Sequence, residues 1–258
     1  VIPYVDLANF TIAGATFYTF GLLVALGVLL GHAIVSHRQQ RLGLGPSREA
    51  DLFCLFTFAV AFFFAHLVDV IFYRPDLLRR DWRELFMVHH GLSSFGGFIG
   101  TIVGAVVFLR ARGLPFWSYS DLAAYAFPFG WLLGRAGCAV AHDHKGRLSS
   151  SWLAVRFPEG ARFDLGLLEL ALTPLLVAVV ITVDRHDRRP GMITGALAVA
   201  YAIIRFPLDF LRASDLGAES DPRHLGLTPA QWACFALLAA GVGVILSARR
   251  RPPRALPA

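Results

Sequence analysis

The chain of 258 residues is 56% hydrophobic and 16% charged, with a mean hydropathy of +0.58, where a soluble domain of that length carries about a quarter charged residues; this excludes a polar-skinned globule and requires lipid as the solvent for the apolar surplus. The net charge of +6 and pI near 9.7 arise from short basic clusters between apolar stretches rather than from one aromatic-studded face, which argues against nucleic acid as a partner and for anionic lipid. The three cysteines, Cys54, Cys138 and Cys234, are odd in number and two of them fall in apolar runs, so no disulfide framework is expected.

The opening VIPYVDLANF has no basic stretch and no small-residue cleavage site ahead of the first apolar run. That run is therefore expected to persist as a helix rather than act as a removable signal. A spanning helix needs about 20 mostly apolar residues, and seven stretches meet the requirement, at about 12–35, 50–73, 91–109, 119–140, 165–183, 191–211 and 229–247. The third is rich in glycine (Gly91, Gly96, Gly97, Gly100, Gly104). Its front end is a candidate for a broken or re-entrant segment, which only covering helices make tolerable. Between the fourth and fifth stretches, SSSWLAVRFPEGARF alternates apolar and polar residues around a Pro-Glu-Gly turn and predicts a short hairpin. No polar linker divides the chain. The expected fold is all-α: one polytopic membrane domain over residues 1–258, with about seven transmembrane helices and a small outer-face loop and hairpin region at about 141–164.

Basic residues between spans set the orientation. Arg38, Arg41 and Arg48 follow the first stretch, Arg110 and Arg112 the third, Arg185, Arg188 and Arg189 the fifth, and Arg249, Arg250, Arg251 and Arg254 the seventh. These twelve are dense and close to the segment ends, whereas the ten on the other side, from Arg74 to Arg223, are spread over longer loops and mixed with acids. The N-terminus is expected outside and the C-terminus in the cytoplasm. Residues 74–90, 141–164 and 212–228 then lie on the outer face, where the chemistry is to be sought.

Ionisable groups inside a span are costly and are functional candidates for that reason. Arg135 stands near the outer end of the fourth stretch. Arg205 lies in the sixth, with Asp209 and Arg212 following at i+4 and i+7 on one helical face. This row of cation, anion and cation suits an anionic headgroup, and equally an internal salt-bridge network that locks helices together. His66, Asp69 and Glu169 read as polar packing pairs.

The densest group is GRAGCAVAHDHKGR, residues 134–147. Gly134 and Gly137 permit close helix approach, Arg135 can hold a phosphate through two parallel hydrogen bonds, and His142, Asp143 and His144 bring acid–base groups. His-Asp-His also fits a metal, but adjacent helical residues point apart and no loop is evident to gather them, so no metal is assigned. In HHGLSSFGGFIG, residues 89–100, Gly96 and Gly97 can bring backbone close to a headgroup, with His89 or His90 as proton acceptor. A glycine-lined helix crossing is the other reading, and the one the spacing favours.

Together these stretches resemble the prolipoprotein diacylglyceryl transferase family. The matching pieces are GLSSFGGFIG, the GRAG...D..GR stretch from Gly134 to Arg147, the Arg162 to Glu169 piece, YAIIRFPLDFLR at 201–212 and GLTPAQW at 226–232, in the same order and spacing over most of the chain. The resemblance implies that Arg135, Gly146 and Arg205 occupy functional positions of the family. It also marks departures. Where the family reads Ser-Phe-His-Gly-Gly, the position of its histidine is Phe95. Its Asn after Gly-Arg-x-Gly is Cys138, its Glu in the following turn is Asp143, and its Glu after the sixth-helix Arg is Asp209. The anion-binding half is intact and the acid–base half is rearranged.

The resemblance further implies a multi-pass enzyme of the bacterial inner membrane that moves the diacylglyceryl group of phosphatidylglycerol to the cysteine thiol of a secreted prolipoprotein, with no cofactor. Physically this is displacement at an alkyl carbon by a thiolate, with glycerol phosphate leaving. The thiol needs a base near neutral pH, and the leaving phosphate needs fixed positive charge in a dry site. Arg135, Arg205, Gly96, Gly97, Cys138, Gly146, Asp209 and Arg212 are expected around the substrates, and His142, Asp143, His144 or His90 is expected to supply the proton transfer that Phe95 cannot. The alternatives are a paralogue with another acceptor, a metal-assisted membrane enzyme using His142, Asp143 and His144, and a non-catalytic lipid-binding protein or transporter of the same fold.

Overall fold

The computed structural model describes residues 1–12, 14–86, 91–217 and 223–254. Each of the seven apolar stretches carries a long helix: α1 (Thr19–Arg41) and α2 (Ser47–Val68), then, after the short α3 (Pro75–Arg80), α4 (Ser94–Ala111), α5 (Phe116–Ala141), α6 (Leu165–His186), α7 (Met192–Leu208) and α8 (Pro229–Ala248). Six of the seven are long and apolar enough to cross a membrane. The seventh, α5, is 26 residues long, and Ser118, Ser120, Asp121 and Arg135 interrupt its apolar run. Large apolar side chains point outward along the spans, including Leu29 at 63%, Leu55 at 67% and Ile102 at 66% exposure. Such a surface is stable against lipid and not against water.

The chain clusters into two compact units, Ser36–Ser120 and Val1–Val35 with Asp121–Leu256. In the first, α2 ends in a π-helical turn, Asp69–Tyr73, closed by Arg74 N donating to Asp69 O at 3.0 Å. The glycine-rich front of the third stretch is not broken. Ser93 caps α4, accepting from Gly96 N at 3.3 Å, and the helix runs unbroken to Ala111. Its glycines serve contact with α2: a Cβ at Gly96 would run into the Phe64 carbonyl, and one at Gly100 would stand 2.7 Å from Ala61 Cα and from Val60 O. The glycine-lined crossing is thus the arrangement found. At the other end of this unit Gln39 Nε2 donates to the carbonyls of Gly45 (3.0 Å) and Pro46 (2.8 Å), and Arg112 pairs with Glu49. These bonds satisfy connector groups where the spans end.

In the second unit the predicted hairpin is present as β5 (Ala154–Phe157) and β6 (Gly160–Asp164), paired antiparallel. It belongs to a four-stranded sheet in the order β1-β5-β6-β4, in which β4 (Lys145–Leu148) runs antiparallel to β6 and β1 (Ile2–Pro3) runs parallel to β5. A separate hairpin, β2 (Asn9–Ile12) with β3 (Ala15–Tyr18), reaches into the expected first stretch, so that residues 12 and 15–18 are strand and α1 begins at Thr19. Residues 15–18 are Ala-Thr-Phe-Tyr, and the β-branched and aromatic side chains among them favour a strand where the hydropathy signal alone favours a helix. Helix α1 packs on α5 where Gly27 and Gly130 meet, a Cβ on either standing within 2.8 Å of the other's carbonyl oxygen. Buried Asp121 of α5 fixes the start of α7, its carboxylate accepting from Gly191 N (2.7 Å), Thr194 N (2.9 Å) and Thr194 Oγ1 (2.8 Å). An anion at that end also complements the helix dipole.

The α2–α4 crossing leaves no room for a methyl group at Gly100, so Gly100→Ala is expected to lower stability by about 1–3 kcal/mol, the usual cost of overpacking. Gly97→Ala meets only Ala65 Cβ at 3.8 Å and is expected to be near neutral. Thermal unfolding of the two variants in detergent checks the difference.

Candidate functional site

The ionisable residues of α5, α6 and α7 converge on one carboxylate. Glu169, on the second turn of α6, is 5% exposed. One of its oxygens takes the Arg205 Nη1 hydrogen bond, and the other stands 2.8 Å from Arg135 Nε. The Arg135 contact is an ion pair rather than an aligned hydrogen bond, because Nε finds no hydrogen-bond partner among the described residues. The rest of the Arg135 guanidinium lies over the Trp131 ring, 4.2 Å from its centroid, with Nη1 3.8 Å from Cys138 Sγ. Both arginines are buried, at 8% and 7% exposure.

The row read from the sixth stretch is also present. Asp209 Oδ1 lies 2.7 Å from Arg205 Nη2 and accepts from Arg212 Nε at 2.9 Å. Its other oxygen accepts the Thr228 hydroxyl proton. Thr228 is at the same time the N-cap of α8, in a reciprocal capping box with Gln231, and Gln231 Nε2 donates to Phe206 O at 3.1 Å. The stretch GLTPAQW therefore ties the start of α8 to Asp209 and to the end of α7. Sequence reading noted this stretch only for its resemblance, yet Thr-x-x-Gln before an apolar run is a legible capping signal.

The salt-bridge alternative is thus realised: Arg135 and Arg205 share Glu169, and Arg205 and Arg212 share Asp209. Glu169, read as one of the polar packing pairs, is the centre of the cluster. A narrow cleft lined by Trp131, Glu169, Tyr201 and Arg205 opens beside it.

The segment after Arg135 divides its residues between two places. Helix α5 stops at Ala141 because His142 takes a left-handed backbone, φ 51°, a conformation uncommon outside glycine. Three contacts hold it there. His142 Nδ1 lies 2.5 Å from Asp164 Oδ2, Nε2 donates to Val5 O at 3.2 Å, and the ring stacks near Tyr4 with centroids 4.6 Å apart. Asp164 is also the N-cap of α6, accepting from Leu167 N at 3.1 Å. With one ring nitrogen donating to a carbonyl and the other against a carboxylate, His142 offers no open nitrogen to a substrate. Asp143 and His144 turn the other way: they contact each other, and a donor atom from each lies within 4.8 Å of the other and of Cys138 Sγ.

Gly146 serves as a close crossing. It bridges to Arg212, and a Cβ there would stand 2.6 Å from Leu211 O. Its carbonyl accepts from Arg162 Nη1 at 3.2 Å. Arg162 in turn clamps Asp215 with two parallel hydrogen bonds of 2.9 and 2.6 Å, an anchor absent from the sequence reading. The Arg162 hydrogen bonds hold the Asp215 carboxyl below the usual carboxylate range. Gly96 and Gly97 lie on α4 at the α2 crossing, and Phe95, in the first turn of α4, is 56% exposed. His90 lies outside the described residues.

The family model described as prolipoprotein diacylglyceryl transferase matches residues 8–247. Among curated proteins the chain is similar to the phosphatidylglycerol–prolipoprotein diacylglyceryl transferase of Erythrobacter litoralis, 31% identical with 99% of this chain and 92% of that protein covered. It is likewise similar to the one of Chromohalobacter salexigens, at 31% with 98% and 96% covered, and to that of Methylibium petroleiphilum, at 30% with 96% and 98% covered.

Removal of the shared carboxylate leaves two buried guanidiniums short of an anion, so Glu169→Gln is expected to destabilise the protein by about 3–5 kcal/mol, read as a lowered melting temperature in detergent. The Asp215 clamp has a defined sign in pH. Its folded-state pKa is depressed, so its contribution is present at neutral pH and is lost as pH falls through that depressed value. Asp215→Asn is expected to melt lower than the parent near pH 7, with the gap closing in acid.

Proposed function

Because the chain belongs to the prolipoprotein diacylglyceryl transferase family, we propose that it performs the transfer for which its relatives are named, from phosphatidylglycerol to the cysteine thiol of a prolipoprotein, as a multi-pass protein of the bacterial inner membrane. The observation that carries the reading is the meeting of two buried guanidiniums, Arg135 and Arg205, on Glu169 beside the narrow cleft lined by Trp131, Tyr201 and Arg205, where a phosphodiester finds donors already oriented. A fixed cation in a dry, helix-lined site stabilises a departing phosphate far more than water-exposed charge does. Arg135 and Arg205 hold that phosphate, Glu169 and Asp209 keep the guanidiniums in place, and Arg212 completes the row.

The thiol is activated where Asp143 and His144, on the turn after α5, meet Cys138 of α5, whose sulfur lies 3.8 Å from Arg135 Nη1. His142 has a different task, since its ring is engaged by Asp164 and Val5: it holds the left-handed turn that presents Asp143 and His144. The rearranged residues Cys138 and Asp143 and their neighbour His144 thus stand together beside the anion-binding arginines and take over what Phe95 cannot supply. With the basic connectors on the cytoplasmic side, the N-terminus, the four-stranded sheet and the arginine cluster lie on the outer side, where a secreted precursor arrives.

A transfer assay with purified lipoprotein precursor and phosphatidylglycerol vesicles tests this reading. Arg135→Lys and Arg205→Lys keep the charge but lose the planar fork, and each is expected to lower turnover by about tenfold or more, the equivalent of one charge-assisted hydrogen bond. His144→Ala is expected to remove most turnover, about 10²–10⁴-fold for loss of proton-transfer assistance. Full activity in all three variants, or none in the parent protein, overturns the assignment. Reporter fusions check the orientation, with residues 145–164 outside and the C-terminus in the cytoplasm; a cytoplasmic signal from 145–164 reverses it.

A further inference from the structure

We infer that Cys138, Asp143 and His144 form a binding site for a divalent metal ion of the zinc class, and that this site, on the lipid-transfer reading above, is what activates the acceptor thiol. The three residues stand at i, i+5 and i+6. On a continuing helix the last two would lie roughly 140° and 240° around the axis from Cys138, out of reach of one ion. The left-handed backbone at His142 ends the helix and turns the chain back, so that one donor atom from each of the three lies within 4.8 Å of the others. In a tetrahedral site with bonds of about 2.0–2.3 Å, donors lie about 3.3–3.8 Å apart, a contraction of roughly 1 Å from that limit that rotation of the Asp143 and His144 side chains supplies. The turn itself is anchored, by the three contacts on His142 and by Leu165 N donating to His144 O at 3.0 Å.

The donor set is chemically selective. A thiolate, an imidazole and a carboxylate together suit zinc and disfavour magnesium or calcium, which take all-oxygen shells. Charge also balances, since a thiolate and a carboxylate neutralise a dication. The neighbouring Arg135 is itself paired with Glu169 and so opposes the ion little. Three protein ligands leave a fourth position open, the pattern of reactive rather than purely structural zinc. An acceptor thiol entering that position binds as thiolate and gives its proton to water. Its sulfur then attacks the glyceryl carbon, the bond from that carbon to the phosphate oxygen breaks, and glycerol phosphate leaves with the electron pair beside Arg135 and Arg205.

The test uses the full chain purified in detergent, stripped with EDTA and titrated with Co²⁺, then Zn²⁺. One equivalent of Co²⁺ is expected, with a thiolate-to-cobalt charge-transfer band and tetrahedral visible bands, displaced by Zn²⁺. Cys54→Ser and Cys234→Ser are expected to keep the bands, and Cys138→Ser to lose them. Because Cys138 is buried, Asp143→Asn and His144→Ala, at half-exposed side chains, decide the matter: each should weaken Zn²⁺ binding by about 100-fold or more, no less than the loss of a supporting group costs. Absence of a charge-transfer band, or a band unchanged in His144→Ala, overturns the site. Full transfer by the stripped protein in EDTA overturns the metal's part in the reaction and leaves the lipid-transfer reading standing. Stoichiometric zinc in a protein with no transfer activity overturns that reading and leaves the site standing.

Discussion

Two arginines from different helices share one buried glutamate, and the rest of the second unit is arranged around that constraint. Burying a guanidinium away from water costs several kcal/mol unless an anion and hydrogen bonds compensate it. Here Arg135 of α5 and Arg205 of α7 both turn to Glu169 of α6. Three helices must then hold their register, and side chains that satisfy helix termini fix two of them and the helix that follows: Asp164 at the start of α6, Asp121 at the start of α7, and Thr228 at the start of α8. Two of these caps have second duties close to the cluster. Asp164 fixes His142, and Thr228 donates to Asp209. Through Thr228 the capping of α8 and the ion pairing of Asp209 are joined, so loss of that cap is felt at Arg205 and Arg212.

The same network fixes the guanidiniums in place, since each is oriented by a carboxylate whether or not a ligand is present. The glycines play a matching part by letting backbones approach: Gly27 against Gly130 seats α1 on α5, and Gly146 admits the strand β4 beside Arg212. In lipid, close backbone packing of this sort replaces the hydrophobic drive that holds soluble helices together.

The departures from the family pattern fall in three stretches, and the structure gives them different characters: Asp209 joins Arg205 and Arg212 at the end of α7. Phe95 presents an apolar face on the first turn of α4. Cys138 and Asp143 come together with His144 beside Arg135.

The seven long helices, the β5–β6 hairpin and the Arg205-Asp209-Arg212 row were legible in the sequence, because hydropathy over about 20 residues, alternation around a turn and i, i+4, i+7 spacing are local properties that the backbone geometry converts directly into structure. The β2–β3 hairpin was less legible, since its residues continue an apolar run and only strand preference separates them from the helix. Glu169 could be read as an intramembrane acid but not as the partner of two arginines, because its neighbours are 34 residues before it and 36 after it, and no spacing rule reaches that far. The same holds for His142 against Asp164 and for Arg162 against Asp215. The sequence by itself determined which groups are buried and charged; which of them meet was decided by the tertiary structure, through helix ends fixed by caps and one left-handed residue that turned His144 toward Cys138 and left His142 on the sheet.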